Sequence, residues 1–205
     1  MSKPTHAHIE KLFTELIIPF YHLKRGTRIP DKGRRWENDA EHSWSLAFLA
    51  CTLAPEIDPG LDVGKVCQIA VVHDLVEVYA GDTDVFASAE VLATKDEREA
   101  AALQKIRQEF KHFPWIATTI DAYERRETNE GKFVYAMDKY IGCMFDYLDK
   151  GRLFQKAKVS LDSYNKTLEL HRRKAQSHPG VFEYYEKLRA LLDAHPEFFH
   201  MPKEA

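Results

Sequence analysis

The chain has 205 residues, 44% hydrophobic and 30% charged, which is enough apolar material to bury one core without disulfide staples and too much for a disordered polymer. Its formal net charge is −3 with both signs interspersed, which excludes a chain-wide basic field able to hold a nucleic-acid polymer. No apolar run approaches the roughly 20 residues that span a bilayer, and residues 1–10 hold no apolar signal core, so neither membrane insertion nor secretion is expected. Cys51, Cys67 and Cys143 are odd in number, lie in apolar stretches and lack CxxC spacing, and they read as reduced core residues of a cytoplasmic protein.

In chain order, the spacing of Ile9, Leu12, Phe13, Leu16, Ile17 and Phe20 predicts a helix over about 5–24. A basic loop follows from Lys24 to Glu37. It carries Lys24, Arg25, Arg28, Lys32, Arg34 and Arg35, with Gly26, Pro30 and Gly33 expected to prevent regular structure. Asn38-Asp39-Ala40-Glu41 has the form of a capping box, which places His42 in the first turns of a second helix. Pro55, Pro59 and Gly60 break the chain. Val63 to Ala80 then reads as one helix closed by Gly81. Thr94-Lys95-Asp96-Glu97 is a second candidate capping box, opening a helix to about Lys111, and Pro114 starts another segment. Phe133, Met137, Ile141, Met144, Phe145 and Leu148 form an apolar stripe on a helix from about Asn129 to Lys150. Two more helices, near 157–176 and 180–194, complete an all-α, single-domain bundle spanning residues 1–205, with no repeat or linker to divide it.

In the run Ile69–Ala80, nine of twelve residues are apolar or aromatic, and only His73, Asp74 and Glu77 are strongly polar. An unpaired carboxylate in a core costs several kcal/mol, so such groups normally have a charge partner or a metal. On a helix, Glu77 lies three residues from Asp74 and four from His73, so the three can converge. A lone pair of this kind is often only a core histidine bonded to a carboxylate. Here His42 and Asp138 also face inward on their own helices, as Leu46 and Leu49, and Val134, Ile141 and Phe145, indicate. Four potential ligands from three helices, mixing imidazole and carboxylate, suit one divalent transition ion: manganese, cobalt, iron, nickel or zinc. Four protein ligands leave positions open for water and substrate, as in a catalytic site.

The pattern Glu41-His42-Ser43, His73-Asp74 and Asp138 resembles the HD-domain phosphohydrolases. The stretches ENDAEHS, VVHDLVEVYAGD and YERRETNEGKFVYAMD are similar to segments of the bacterial 5'-deoxynucleotidases and related small HD-domain nucleotidases. The likeness covers about residues 8–150; the C-terminal helices, about 157–194, carry no part of it. It implies His42, His73, Asp74 and Asp138 as metal ligands, Glu77 as the catalytic glutamate, and Asp82 as a second acidic residue that places the sugar and leaving group. Arg28, in an Arg-x-Pro element with Pro30, and Arg35, seven residues before His42, match phosphate-binding arginines, although each could equally be a solvated surface charge. The implied activity is hydrolysis of nucleotide phosphate esters, above all (deoxy)nucleoside 5'-monophosphates. A triphosphohydrolase and a catalytically silent nucleotide-binding regulator are the alternatives, and the retained Glu77 weighs against the regulator.

One departure is Ile29, where the deoxynucleotidases resemble one another in having an aromatic residue that excludes the ribose 2'-hydroxyl, so strict deoxyribose selectivity is in doubt. Nearby Trp36 could substitute, or could staple the helix start to the core. Of the histidines a dinuclear site would need between His73 and Asp138, only His112 is present, and the Gly-Tyr-Pro element of cyclic-dinucleotide phosphodiesterases is absent. Such small nucleotidases resemble dimers. A homodimer is therefore expected, with Tyr184, Tyr185, Phe198 and Phe199 as aromatics for a second subunit or for the chain's own core.

Overall fold

A computed structural model describes residues 3–30, 35–84 and 87–201; Lys32, Gly33 and Arg34 of the basic loop lie outside them. The fold is all-α, apart from one two-stranded ladder. The first helical stretch keeps its predicted apolar stripe but is not uniform: α1 (His6–Leu12) runs through a π-turn over Phe13–Ile17 into α2 (Ile18–His22). Pro19 gives the physical reason. It has no N–H to donate and its ring crowds the carbonyl four residues back, and a widened turn accommodates both.

The basic loop is more regular than its glycines and prolines suggest. β1 (Lys24–Arg28) pairs antiparallel with β2 (Trp36–Asn38), setting Lys24 opposite Asn38 and Arg28 opposite Trp36. Local turn residues could not reveal this pairing, which depends on Asp39 N–H donating to Leu23 carbonyl and Ile29 N–H to Arg35 carbonyl across the loop.

The long helices are α3 (Asp39–Ile57), α4 (Val63–Val72), α7 (Lys95–Glu109), α8 (Pro114–Arg125), α9 (Asn129–Leu148), α11 (Leu161–Ala175) and α12 (Pro179–Asp193). Three short ones join them: α5 (Glu77–Ala80), α6 (Ala89–Ala93) and α10 (Arg152–Ala157). Helix α3 runs two residues past Pro55, which sits in its last turn. The single helix expected over Val63–Ala80 is in fact two, parted at His73. The capping box expected at Thr94 is absent: the Thr94 hydroxyl donates instead to the Val91 carbonyl, 3.2 Å away.

Three apolar clusters hold the bundle. Leu46, Ala50, Val66, Ile69, Phe133 and Met137 join α3, α4 and α9. Val72, Val76, Leu103, Ile106 and Ile120 join the end of α4 to α7 and α8. Phe154, Tyr164, Leu168, Tyr185, Leu192 and Phe199 join the C-terminal helices to one another. Tyr185, Phe198 and Phe199 are thus spent inside the chain, and only Tyr184 of the four C-terminal aromatics stays exposed. Of the cysteines Cys143 is buried and Cys51 half-buried, but Cys67 is exposed, against the expectation of a core role. Among the described residues no helix is long and apolar enough to cross a membrane.

Candidate functional site

Local rules deliver each polar side chain to one place. The Asn38 side chain accepts from Glu41 N–H at 2.9 Å and the Glu41 carboxylate accepts from Asn38 N–H at 3.1 Å, a complete capping box that starts α3 one turn before His42. Helix α4 stops at His73. From there the backbone tightens to three-residue spacing, with Leu75 N–H donating to Val72 O, Glu77 N–H to Asp74 O and Tyr79 N–H to Val76 O, before α5 resumes. That tightened turn presents His73, Asp74 and Glu77 together. The apolar stripe of α9 buries Asp138 against α3 and α4.

The four sequence-predicted ligand residues converge. His42 Nε2 lies 3.0 Å from Asp138 Oδ1 and 3.9 Å from Asp74 Oδ2, while His73 Nε2 lies 3.1 Å from Asp74 Oδ2 and 3.9 Å from Asp138 Oδ1. Ligand atoms of His42, His73 and Asp138 all fall within 4.8 Å of one another. The donor set fits a divalent transition ion. His73 Nδ1 donates to the Ala70 carbonyl at 2.9 Å, which turns Nε2 toward the other three side chains, and that atom is buried with no hydrogen-bond partner among the described residues. His42 Nδ1 is 3.5 Å from the buried Glu37 carboxylate, so both rings are oriented from behind. Tyr123, from α8, donates to Asp138 Oδ2 at 2.9 Å, and Lys139 also bonds that oxygen.

Asp39, Asp74 and Glu77 form an adjacent acidic trio. Its positive charge is the chain's own. Arg25 Nη1 lies 2.7 Å from Asp74 Oδ2, 3.2 Å from Asp39 Oδ1 and 3.9 Å from Glu77 Oε2, and Arg25 Nε lies 3.6 Å from Glu37 Oε2. Burial resists the charge on Asp74, but His73 and Arg25 overcome it and hold the carboxyl well below the usual carboxylate range. Burial and the Asp74 charge push Glu77 the other way, well above that range. Burial and Arg25 press His42 down, yet Asp138 and Glu37 outweigh them and hold it up at about 9. Burial also raises Asp82.

Arg25, His42, His73, Asp74, Glu77 and Asp138 line a cavity of about 1000 Å³, together with Asp82, Lys95 and residues of α11. Arg28 and Arg35 do not line it. Arg28 lays its guanidinium 4.0 Å from the ring of Trp36, its partner across the ladder, and exposed Arg35 binds the Glu41 carboxylate at 2.7 Å. Trp36 is exposed beneath Arg28, so it neither staples α3 to the core nor lines the cavity. Conversely, sequence reasoning missed Arg25, Glu37, Tyr123 and the cavity lysines. Arg25 looked like one of six loop cations, and Tyr123 like one more residue of an amphipathic helix. Lys139 alone left a signal, as a charge beside Asp138 in an otherwise apolar stripe.

A family model for the HD domain matches residues 20–178. No curated protein matches the sequence. Among solved structures, a predicted metal-dependent phosphohydrolase from Magnetospirillum magnetotacticum is 26% identical, with 95% of each chain covered and a TM-score of 0.76. A conserved hypothetical protein from Pyrococcus furiosus is 25% identical over 85% of this chain and 97% of its own, with a TM-score of 0.59. A Pyrococcus horikoshii protein, 23% identical over 89% of this chain and 97% of its own at a TM-score of 0.59, shares the fold.

Proposed function

The chain belongs to the HD-domain family, and from that membership we propose that it is a metal-dependent phosphohydrolase cleaving nucleotide phosphate esters, preferentially (deoxy)nucleoside 5'-monophosphates, into nucleoside and phosphate. The observation that carries the reading is the meeting of two imidazoles and two carboxylates, with His73 Nε2 buried and lacking any hydrogen-bond partner among the described residues. His42, His73, Asp74 and Asp138 are the residues that would hold a divalent transition ion. When bound, such an ion supplies a Lewis acid for a phosphoryl oxygen and acidifies water.

The chain's own groups supply the remaining chemistry. Glu77 Oε2 is buried without a hydrogen-bond partner among the described residues, one turn from Asp74, where a carboxylate can hold attacking water and accept its proton. Asp82, on the same cavity lining, is the second acidic residue and places the sugar and the leaving group. Phosphate release from ribo- and deoxynucleoside mono- and triphosphates tests the reading, using metal-stripped protein reloaded with manganese, cobalt or zinc. Metal-dependent turnover that falls about a hundredfold or more in Glu77→Gln is expected. Turnover unchanged in that variant sinks the role of Glu77, and failure to bind metal sinks the site.

A homodimer belongs to the same proposal. With three C-terminal aromatics used internally, the proposed surface for a second copy is an apolar groove of about 1140 Å³ lined by Ile17, Phe20, Trp44, Phe48, Val71 and Trp115. Trp44 and Phe48 stack with centroids 5.6 Å apart and stand 68% and 64% exposed beside it. A face that carries both ridge and groove can mate with itself about a two-fold axis. Sedimentation of wild type and Trp44→Glu checks this; dimer for the first and monomer for the second is expected, and two monomers end it.

A further inference from the structure

Helix α11 carries no motif and no predicted role, yet Ser163, Thr167, His171 and Lys174, spaced along one helical face, all line the catalytic cavity. We propose that Lys174 and His171, with Lys95 from α7 and Lys139 from α9, form an anion subsite that holds the non-bridging oxygens of a phosphomonoester dianion. The inference rests on the phosphohydrolase reading and names where that reading's substrate is gripped.

Arg25 is committed to four carboxylates, and Arg28 and Arg35 do not line the cavity. Lys95 Nζ is 2.7 Å from Glu99 Oε1 and 3.7 Å from Glu77 Oε1, and Lys139 bonds Asp138, so both amines are anchored beside the proposed catalytic groups. Lys174 and His171 are different: each is half-buried and neither side chain has a hydrogen bond or ion pair among the described residues. Burial, then the charges of Lys139 and Lys95, press Lys174 down to about 8, against weaker pulls from Asp138 and Asp96. Burial and Lys139 press His171 to about 3, so it stands in the cavity as a neutral ring with one N–H to donate. Lys95 and Lys139 already face carboxylates, whereas the side chains of Lys174 and His171 on the same cavity lining do not, so an entering phosphate meets donors not yet engaged, and a terminal phosphate with two charges draws an ammonium more strongly than a diester with one.

The test is competitive acetylation of the full chain at about pH 8, where a depressed lysine is unusually nucleophilic, read by peptide mass spectrometry. It uses metal-stripped and manganese-loaded protein, with inorganic phosphate or with chloride at equal ionic strength. Phosphate, and not chloride, is expected to slow labelling of Lys174 several-fold while leaving the exposed Lys166 unaffected. In parallel, Lys174→Met should raise the inhibition constant for inorganic phosphate about tenfold, with Lys174→Arg restoring most of it. For a nucleotide that turns over, KM should rise more than kcat falls. Equal labelling in phosphate and chloride, or an unchanged phosphate constant in Lys174→Met, overturns the subsite. The labelling arm does not depend on turnover, so protection without catalysis upholds the subsite even where the hydrolase reading fails.

Discussion

Tyr123 reaches the site from a helix that holds none of the four convergent residues, and its hydroxyl, with Lys139, holds Asp138 Oδ2 while Oδ1 faces His42. Tyr123→Phe is expected to weaken metal binding by about tenfold or more, measured by competition with a chromophoric chelator, because outer groups that orient ligands typically matter by that factor. Arg25 sets its guanidinium among Glu37, Asp39, Asp74 and Glu77. Removing its charge in metal-stripped protein, as Arg25→Gln, should cost about 3–5 kcal/mol in urea unfolding, since buried carboxylates would remain uncompensated. On the cavity wall Asp146 is pushed by burial to about 8, although Tyr164 hydroxyl donates to it at 3.3 Å. A carboxyl raised on folding contributes stability that is complete below its unfolded pKa and lost as pH rises through about 8. Asp146→Asn should therefore gain on wild type as pH rises from about 4 to 8, and parallel urea curves at both ends would refute the shift. The contrast between Arg25 and His73 shows what was legible residue by residue. His73 and Asp74 stood out because burial of ions in an apolar run demands a cause. Arg25 did not, because a cation in a polar loop demands none.

Element by element, periodicity carried far. The stripe of α9 lies where apolar spacing placed it, α3, α7, α8 and α12 form close to their predicted ranges, and the Asn38 capping box forms with both of its bonds. Asn38→Ala should cost about 1 kcal/mol in chemical denaturation and should weaken metal binding as well, because the cap fixes the turn that presents His42. A metal affinity unmoved by that substitution would separate the cap from the site. Interruptions were not legible. The break at His73 leaves no glycine or proline in the sequence, and it arises because tertiary packing favours a tighter turn that gathers three polar side chains. The β1–β2 ladder likewise depends on pairing across a loop, which no local pattern encodes.

For the whole molecule, a core could be foreseen but not its partition into three clusters, nor the cavity where their elements meet. Val76 comes from one cluster, Tyr123 from another, and Phe154, Tyr164 and Leu168 from the third, and all five line it. Any cation held by α3, α4 and α9 therefore ties chain segments far apart in sequence, and manganese or zinc should raise the melting temperature in proportion to RT ln(1 + [L]/Kd). Scanning calorimetry with and without a chelator checks this, and coincident melting curves would contradict a cation bound to the folded state. The partition has a kinetic consequence too. Helix α11 belongs to the C-terminal cluster but lines a cavity that residues of the other two also line. Local opening of α11 would part the lining that it shares with α7 and α9. A phosphate bridging both sides would latch that hinge, so amide hydrogens of Leu161–Ala175 should exchange more slowly with phosphate bound, while those of α3 and α4 keep their rates.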